Sequence, residues 1–291
     1  MLEPSSSIAL VPSSDTWRAW QELDVHYDPV FRTFSTYHEP FVDAGTRCVC
    51  LTDCLQEVVL WSRAHPDHTL IKLVLEPKYN IDVINPYHGG LTVHLRALQE
   101  TILSSLPAES VLAPQAVQGS APSLRAAVIS NDGAPVCGWP SDAETRGSFL
   151  FILNAWQENA AAGVALRNLD ISERLFFIRA SEAWNIPDDA VVLEVDACAC
   201  DKATLSDTQG CVDSFKRLVR AGYLVRAATD VAACAALDTA ALKTGVAAAG
   251  VQLLTTDFID RSALPCGAAH VACCVPGSRA ACTAEGMEAA L

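Results

Sequence analysis

Apolar residues fall into short runs along the chain, separated by stretches with a longer period. Eight runs predict strands: residues 21–26 (QELDVH), 31–37 (FRTFSTY), 70–76 (LIKLVLE), 149–154 (FLFILN), 175–179 (LFFIR), 191–196 (VVLEVD), 223–228 (YLVRAA) and 251–256 (VQLLTT). Several are apolar throughout, as strands covered on both faces should be. Between them the spacing becomes helical. Residues 52–64 (TDCLQEVVLWSRA) place Leu55, Val58, Val59 and Ser62 on one side. Thr52 or Asp53 is expected to cap that helix, and the HPDH tetrapeptide to end it. Further helices are expected over residues 91–105, over 211–221 with a stop at Gly222, and over the Ala-rich 236–248.

Strand and helix in alternation imply a parallel sheet with helices outside it. The number of units and the length of the chain, 291 residues, suit an α/β fold of the (β/α)8 TIM-barrel type. A doubly wound sheet is the alternative. No G-x-G-x-x-G follows an early strand, and neither a P-loop nor a G-x-S-x-G is present. The turn-rich NDGAPVCGWPSDAETRGS stretch joins two groups of elements, and no internal repeat or linker divides the chain. One domain is expected.

Composition narrows the function. With 51% hydrophobic and 19% charged residues the chain can bury a sizeable core. A net charge of -14 excludes non-specific nucleic-acid binding, which needs clustered Lys and Arg. An acidic protein can still act on an anion if a bound cation reverses the local sign. The most apolar tract carries Asp238 and Lys243, so no transmembrane segment is expected. No signal peptide is visible, yet 12 Cys are many for a reducing compartment and point to a secreted or extracytoplasmic location. No C-x-x-C occurs. Cys48, Cys50 and Cys54 in CVCLTDC, like Cys198 and Cys200, therefore read as disulfides or buried thiols rather than zinc ligands.

Three places carry candidate chemistry. Glu22, Asp24 and His26 alternate within one strand and so share a face. His38 ends the next strand-like run in TYHEPFVD, and Glu76 ends an apolar strand in LVLEPK. Catalytic groups of a barrel sit at the C-terminal ends of its strands. Converging carboxylates repel unless a cation holds them, and hard cations such as Ca²⁺ take oxygen ligands. Each feature also has a plain structural explanation: solvated acids, a hydrogen-bonded histidine, a strand simply ended by Pro77. His65 and His68 read as a helix-end loop, and His88 and His94 have no evident role.

The blocks QELDVHYDP, FRTFSTYHEPFVDAGTRCVCLTDCLQEVVLWSRAHPDHTLIKLVLEPK, GWPSDAETRGSFLFILN, LVRAGYLVRAATD and GVQLLTTDF together resemble the calcium-dependent, phosphatidylinositol-specific phospholipase C-like family over about residues 20–260. The resemblance implies a phosphoric diester hydrolase on a TIM-type barrel. In its reaction the inositol 2-hydroxyl attacks the adjacent phosphorus and diacylglycerol leaves, with Ca²⁺ assisting. Carried over residue by residue, Glu22, Asp24 and Glu76 would be Ca²⁺ ligands and His38 the catalytic histidine. His26 and Lys78 are candidate phosphate contacts. The implied partners are a phosphoinositide or related lipid head group and, transiently, a membrane surface.

One departure stands out. The family has an earlier strand ending in a His-Asn motif, whereas no His or Asn precedes His26 here. An incomplete or altered first strand is therefore expected, with residues 1–19 an atypical N-terminal segment, 20–262 the barrel domain and 263–291 a Cys-containing tail. The departure keeps a second function open: a catalytically impaired relative that binds Ca²⁺, an inositol phosphate or a protein. A glycerophosphodiester hydrolase is a weaker third option.

Overall fold

The computed structural model describes residues 20–28, 31–37, 48–78, 91–129, 138–154, 160–181, 186–196, 208–228 and 245–255. Residues 1–19 and 263–291, His38, His88, Cys198, Cys200 and most of the Ala-rich helix lie outside them. The strands are β1 (Trp20–Asp28), β2 (Thr33–Thr36), β3 (Ile71–Pro77), β4 (Phe149–Asn154), β5 (Phe176–Ser181), β6 (Val192–Asp196), β7 (Leu224–Ala228) and β8 (Leu253–Thr255). All eight expected runs therefore form strands. The longer helices are α1 (Leu51–Ala64) and α2 (Leu91–Ser105). Three short ones follow, α3 (Pro114–Gln118), α4 (Leu124–Val128) and α5 (Asp142–Thr145), and then α6 (Ala160–Arg167) and α7 (Thr208–Ala221).

Among the described residues, those up to 116 together with those in 145–178 form one compact unit, and those in 117–144 with those from 179 onward form another. In the first, the strand order is β2-β1-β3-β4. β1, β3 and β4 run parallel, with Leu23 opposite Leu75 and Leu75 opposite Leu153. Leu23, Val25, Leu73, Leu75, Phe149, Phe151 and Leu153 point to one face. There they join Leu55, Val58 and Val59 of α1 and Leu95, Leu98 and Ile102 of α2 in a single core. Ser62 completes the buried side of α1 and shares a 2.7 Å hydrogen bond with His68, whose Nδ1 meets the Thr69 carbonyl at 2.7 Å. The expected helix-end loop is thus tied into the core.

Two local expectations change. β2 is the antiparallel partner of β1, with Asp28 opposite Thr33. The reason is length. A parallel crossover takes a dozen or more residues, and the connection from Asp28 to Thr33 can only turn back. Arg32 adopts a left-handed conformation (φ 54°) in that turn. Among the described residues, β1 therefore has β2, and no earlier parallel strand, on the side away from β3. The second change is the start of α1, whose N-cap is Cys50 with no side-chain cap. The Cys48–Cys54 disulfide and a β-bridge from Cys50 to Ser35 hold this corner, so Thr52 and Asp53 lie inside the helix.

β5, which belongs to the second unit from Arg179 onward, is followed there by β6, β7 and β8, neighbours in chain order and parallel, as wall strands of a TIM barrel are. α7 ends as expected. Gly222 has φ 103°, its N–H bonds Val219, and the Tyr223 N–H reaches the Leu218 carbonyl at 3.2 Å. This pair of bonds satisfies the last carbonyls of the helix. A side chain at position 222 would put Cβ 2.2 Å from the Val128 carbonyl oxygen.

Candidate functional site

Because Leu23 and Val25 face the core, Glu22, Asp24 and His26 share the opposite face of β1. On β3 the same alternation puts Val74, Glu76 and, just past the strand, Lys78 on that face. Register then pairs Glu22 with Val74 and Asp24 with Glu76. The two acids thus stand side by side near the C-terminal ends of parallel neighbours, where a barrel carries its chemistry.

Between them lies Lys78. Its Nζ donates to Glu76 Oε1 at 2.6 Å and stands 3.2 Å from Asp24 Oδ1. The lysine main chain is fixed independently, its N–H bonding the Val25 carbonyl at 3.0 Å. The ammonium is largely buried, while both acids keep some exposure. Burial lowers the Lys78 pKa. The hydrogen bond to Glu76 and the charges of Asp24 and Glu76 outweigh it, so the net shift is upward and the side chain is charged at neutral pH. One cation thus already sits between two carboxylates.

The remaining candidates divide. Glu22 lies on the acidic face one step before Asp24. Among the described residues no three His, Cys, Asp or Glu side chains assemble into a metal-holding group. His26 is buried, its Nε2 donates to the Tyr37 carbonyl at 2.8 Å, and its ring stacks on Tyr37 at 3.7 Å. It therefore grips the residue before His38, which itself lies outside the described residues. His94 is a core residue of α2 whose ring packs 4.5 Å from that of Tyr27.

Sequence reasoning missed two features. Asn154, buried at the C-terminal end of β4, falls by alternation on the face opposite Phe151 and Leu153. The signal was an amide closing an otherwise apolar strand. The second is a charge cluster in the other unit. Glu194 of β6 forms ion pairs with Arg226 of β7, at 3.2 Å, and with Arg179 of β5, and both arginines are buried. Its signal was a single charge inside each of three apolar strands.

Parallel strands alternating with helices, with Asp24 and Glu76 side by side near the C-terminal ends of β1 and β3, define the class of protein: an α/β protein of the TIM-barrel type. The family model for Ca²⁺-dependent phosphoinositide phospholipase C matches residues 18–278, and the chain belongs to that family. Calcium, expected from the sequence, is the ion for which the family is named. Among solved structures, the Ca²⁺-dependent phosphatidylinositol-specific phospholipase C of Streptomyces antibioticus is similar at 20% identity and a TM-score of 0.59, over 82% of this chain and 85% of that one. The calcium-dependent phosphoinositol-specific phospholipase C of a Gram-negative Pseudomonas sp. (apo form, myoinositol complex) is similar at 15% identity and a TM-score of 0.53, over 82% and 80%. At these identities the likeness establishes the barrel fold alone. No curated protein matches the chain in sequence.

Proposed function

We propose that this protein is a phosphoric diester hydrolase that cleaves a phosphatidylinositol-type lipid by attack of the inositol 2-hydroxyl, with Ca²⁺ held by Asp24 and Glu76 and by Glu22, which the bound ion draws in. The observation that carries the reading is the register pairing of Asp24 with Glu76 around one cation position. Hard, anionic oxygens already gathered about a positive charge fit Ca²⁺. Bound there, the ion would lower the pKa of the attacking hydroxyl and offset charge on the phosphoryl group. His38 is assigned the proton transfer. His26, bonded to the Tyr37 carbonyl, fixes the residue that precedes His38 in the sequence.

The working domain is residues 20–262, flanked by the atypical segment 1–19 and the tail 263–291. A lipid substrate brings the protein to a membrane surface transiently, and among the described residues no helix is long and apolar enough to cross one. The Cys48–Cys54 disulfide supports an extracytoplasmic location, since disulfides persist in oxidising compartments.

A second reading, an impaired relative that binds Ca²⁺ or an inositol phosphate, is favoured by the absence of His and Asn from residues 1–25. Turnover of phosphatidylinositol vesicles with and without calcium separates the two. The hydrolase turns over in calcium, stops on chelation, and loses about 10²–10⁴-fold in His38→Ala, the usual worth of a general acid–base group. Asp24→Asn should lose activity and calcium dependence together. If the parent chain is no faster than the doubly substituted protein, the hydrolase reading is lost. Inositol-phosphate binding by calorimetry is then the property to measure.

A further inference from the structure

We propose that Lys78 is a built-in competitor for the calcium position: its ammonium holds Asp24 and Glu76 together in the metal-free protein and must leave before the ion can take the same oxygens. The inference rests on the calcium reading above and adds how that site is regulated. Three observations carry it. The Nζ atom is 2.6 Å from Glu76 Oε1 and 3.2 Å from Asp24 Oδ1, so it occupies the point that a shared cation would need. The Lys78 N–H is bonded to the Val25 carbonyl, so the backbone stays in place while the side chain leaves. The side chain has four flexible carbons, and its head can swing aside at the cost of rotamer changes alone.

Electrostatics makes the two occupants exclusive. A divalent ion and an ammonium at one point repel strongly in a partly buried site, whereas either alone relieves the repulsion between the two acids. The ammonium is tethered, so it competes at a fixed and high local concentration however dilute the protein. Calcium must outbid that concentration, and Lys78 thereby sets the calcium level at which the site loads. Below that level the acids are still neutralised and the strand ends stay paired. The lysine thus serves as both placeholder and threshold.

The test is calcium binding to the full chain, read by calorimetry and by the calcium-induced rise in unfolding temperature. Lys78→Met keeps the apolar stem and removes the charge. It should bind calcium roughly tenfold more tightly, within the usual range of coupling between linked sites. Lys78→Arg, still cationic, should stay near the parent. Equal or weaker calcium binding by Lys78→Met overturns the proposal while leaving the calcium reading intact. If no form responds to calcium, Lys78→Met included, both fall together. A measurement on the unmodified chain guards against a variant that fails to fold. Acylation of lysines with mass-spectrometric readout should find Lys78 protected without calcium and several-fold more reactive at saturation. Protection unchanged by saturating calcium overturns the competition.

Discussion

Two charge clusters of opposite composition sit on the sheet, one in each compact unit. In the first, two acids flank one lysine: Asp24, Glu76 and Lys78. In the second, two arginines flank one acid: Arg179, Glu194 and Arg226. Both are built by register between parallel neighbours, Asp24 opposite Glu76 and Glu194 opposite Arg226. They differ in where the minority charge is mounted. Glu194 belongs to a central strand and has nowhere to go. Lys78 lies one residue past its strand on a long stem, and the acids that it neutralises keep some exposure. Partly exposed acids around a movable cation make an exchangeable site. Buried arginines around a fixed anion make a structural one.

The comparison is tested most severely by removing each minority charge. Glu194→Gln removes the anion that two buried guanidiniums share, and breaking a buried ion pair from one side costs about 3–5 kcal/mol. Urea unfolding should register that loss, and calcium should not repair it. An unfolding free energy within about 1 kcal/mol of the parent would mean that the guanidiniums are satisfied without Glu194, and the contrast would collapse.

Lys78→Met is the milder counterpart. The two acids reach water, so the expected cost to the calcium-free protein is about 1–2 kcal/mol, the worth of a hydrogen bond to a charged group reduced by exposure. Saturating calcium should restore that stability in full. A loss that calcium leaves untouched would make the Lys78 cluster structural like the other one, and would erase the distinction between them.

Both clusters were only half legible in the sequence. The strands could be read because buried parallel strands are apolar throughout, and the alternation of Glu22, Asp24 and His26 against Leu23 and Val25 fixed which residues share a face. Gly222 could be read because a left-handed residue at the end of α7 excludes a side chain. What no single strand carries is register. Arg179, Glu194 and Arg226 lie in three separate runs, and nothing within any one run says that their side chains meet. The same limit hid the ion pairs of Lys78, which the resemblance offered only as a phosphate contact until pairing put Asp24 next to Glu76. The cap of α1 failed for another reason. A disulfide and a β-bridge at Cys50 did the work that Thr52 or Asp53 does in an unsupported helix. His38 and the segment before β1, on which the choice between hydrolase and binding protein turns, lie outside the described residues.

pH offers the finest separation of the two clusters. The Lys78 pKa in the folded protein is raised above its ordinary value of 10.5, because the bond to Glu76 and the two carboxylate charges together outweigh burial. A group raised on folding contributes stability that is complete below its unfolded pKa and is lost as pH rises through the folded one. The stability difference between the parent and Lys78→Met should therefore owe nothing to lysine titration through neutral and mildly alkaline pH, and should close only above about pH 10.5. Arginine does not deprotonate in proteins, so the difference between the parent and Glu194→Gln should not close in that range. The measurement is the unfolding free energy of parent and variant pairs across alkaline pH, taken as differences so that other titrating groups cancel. A Lys78 difference that already closes between pH 7 and about 9 would contradict the upward shift and with it the tight grip of both acids on the ammonium.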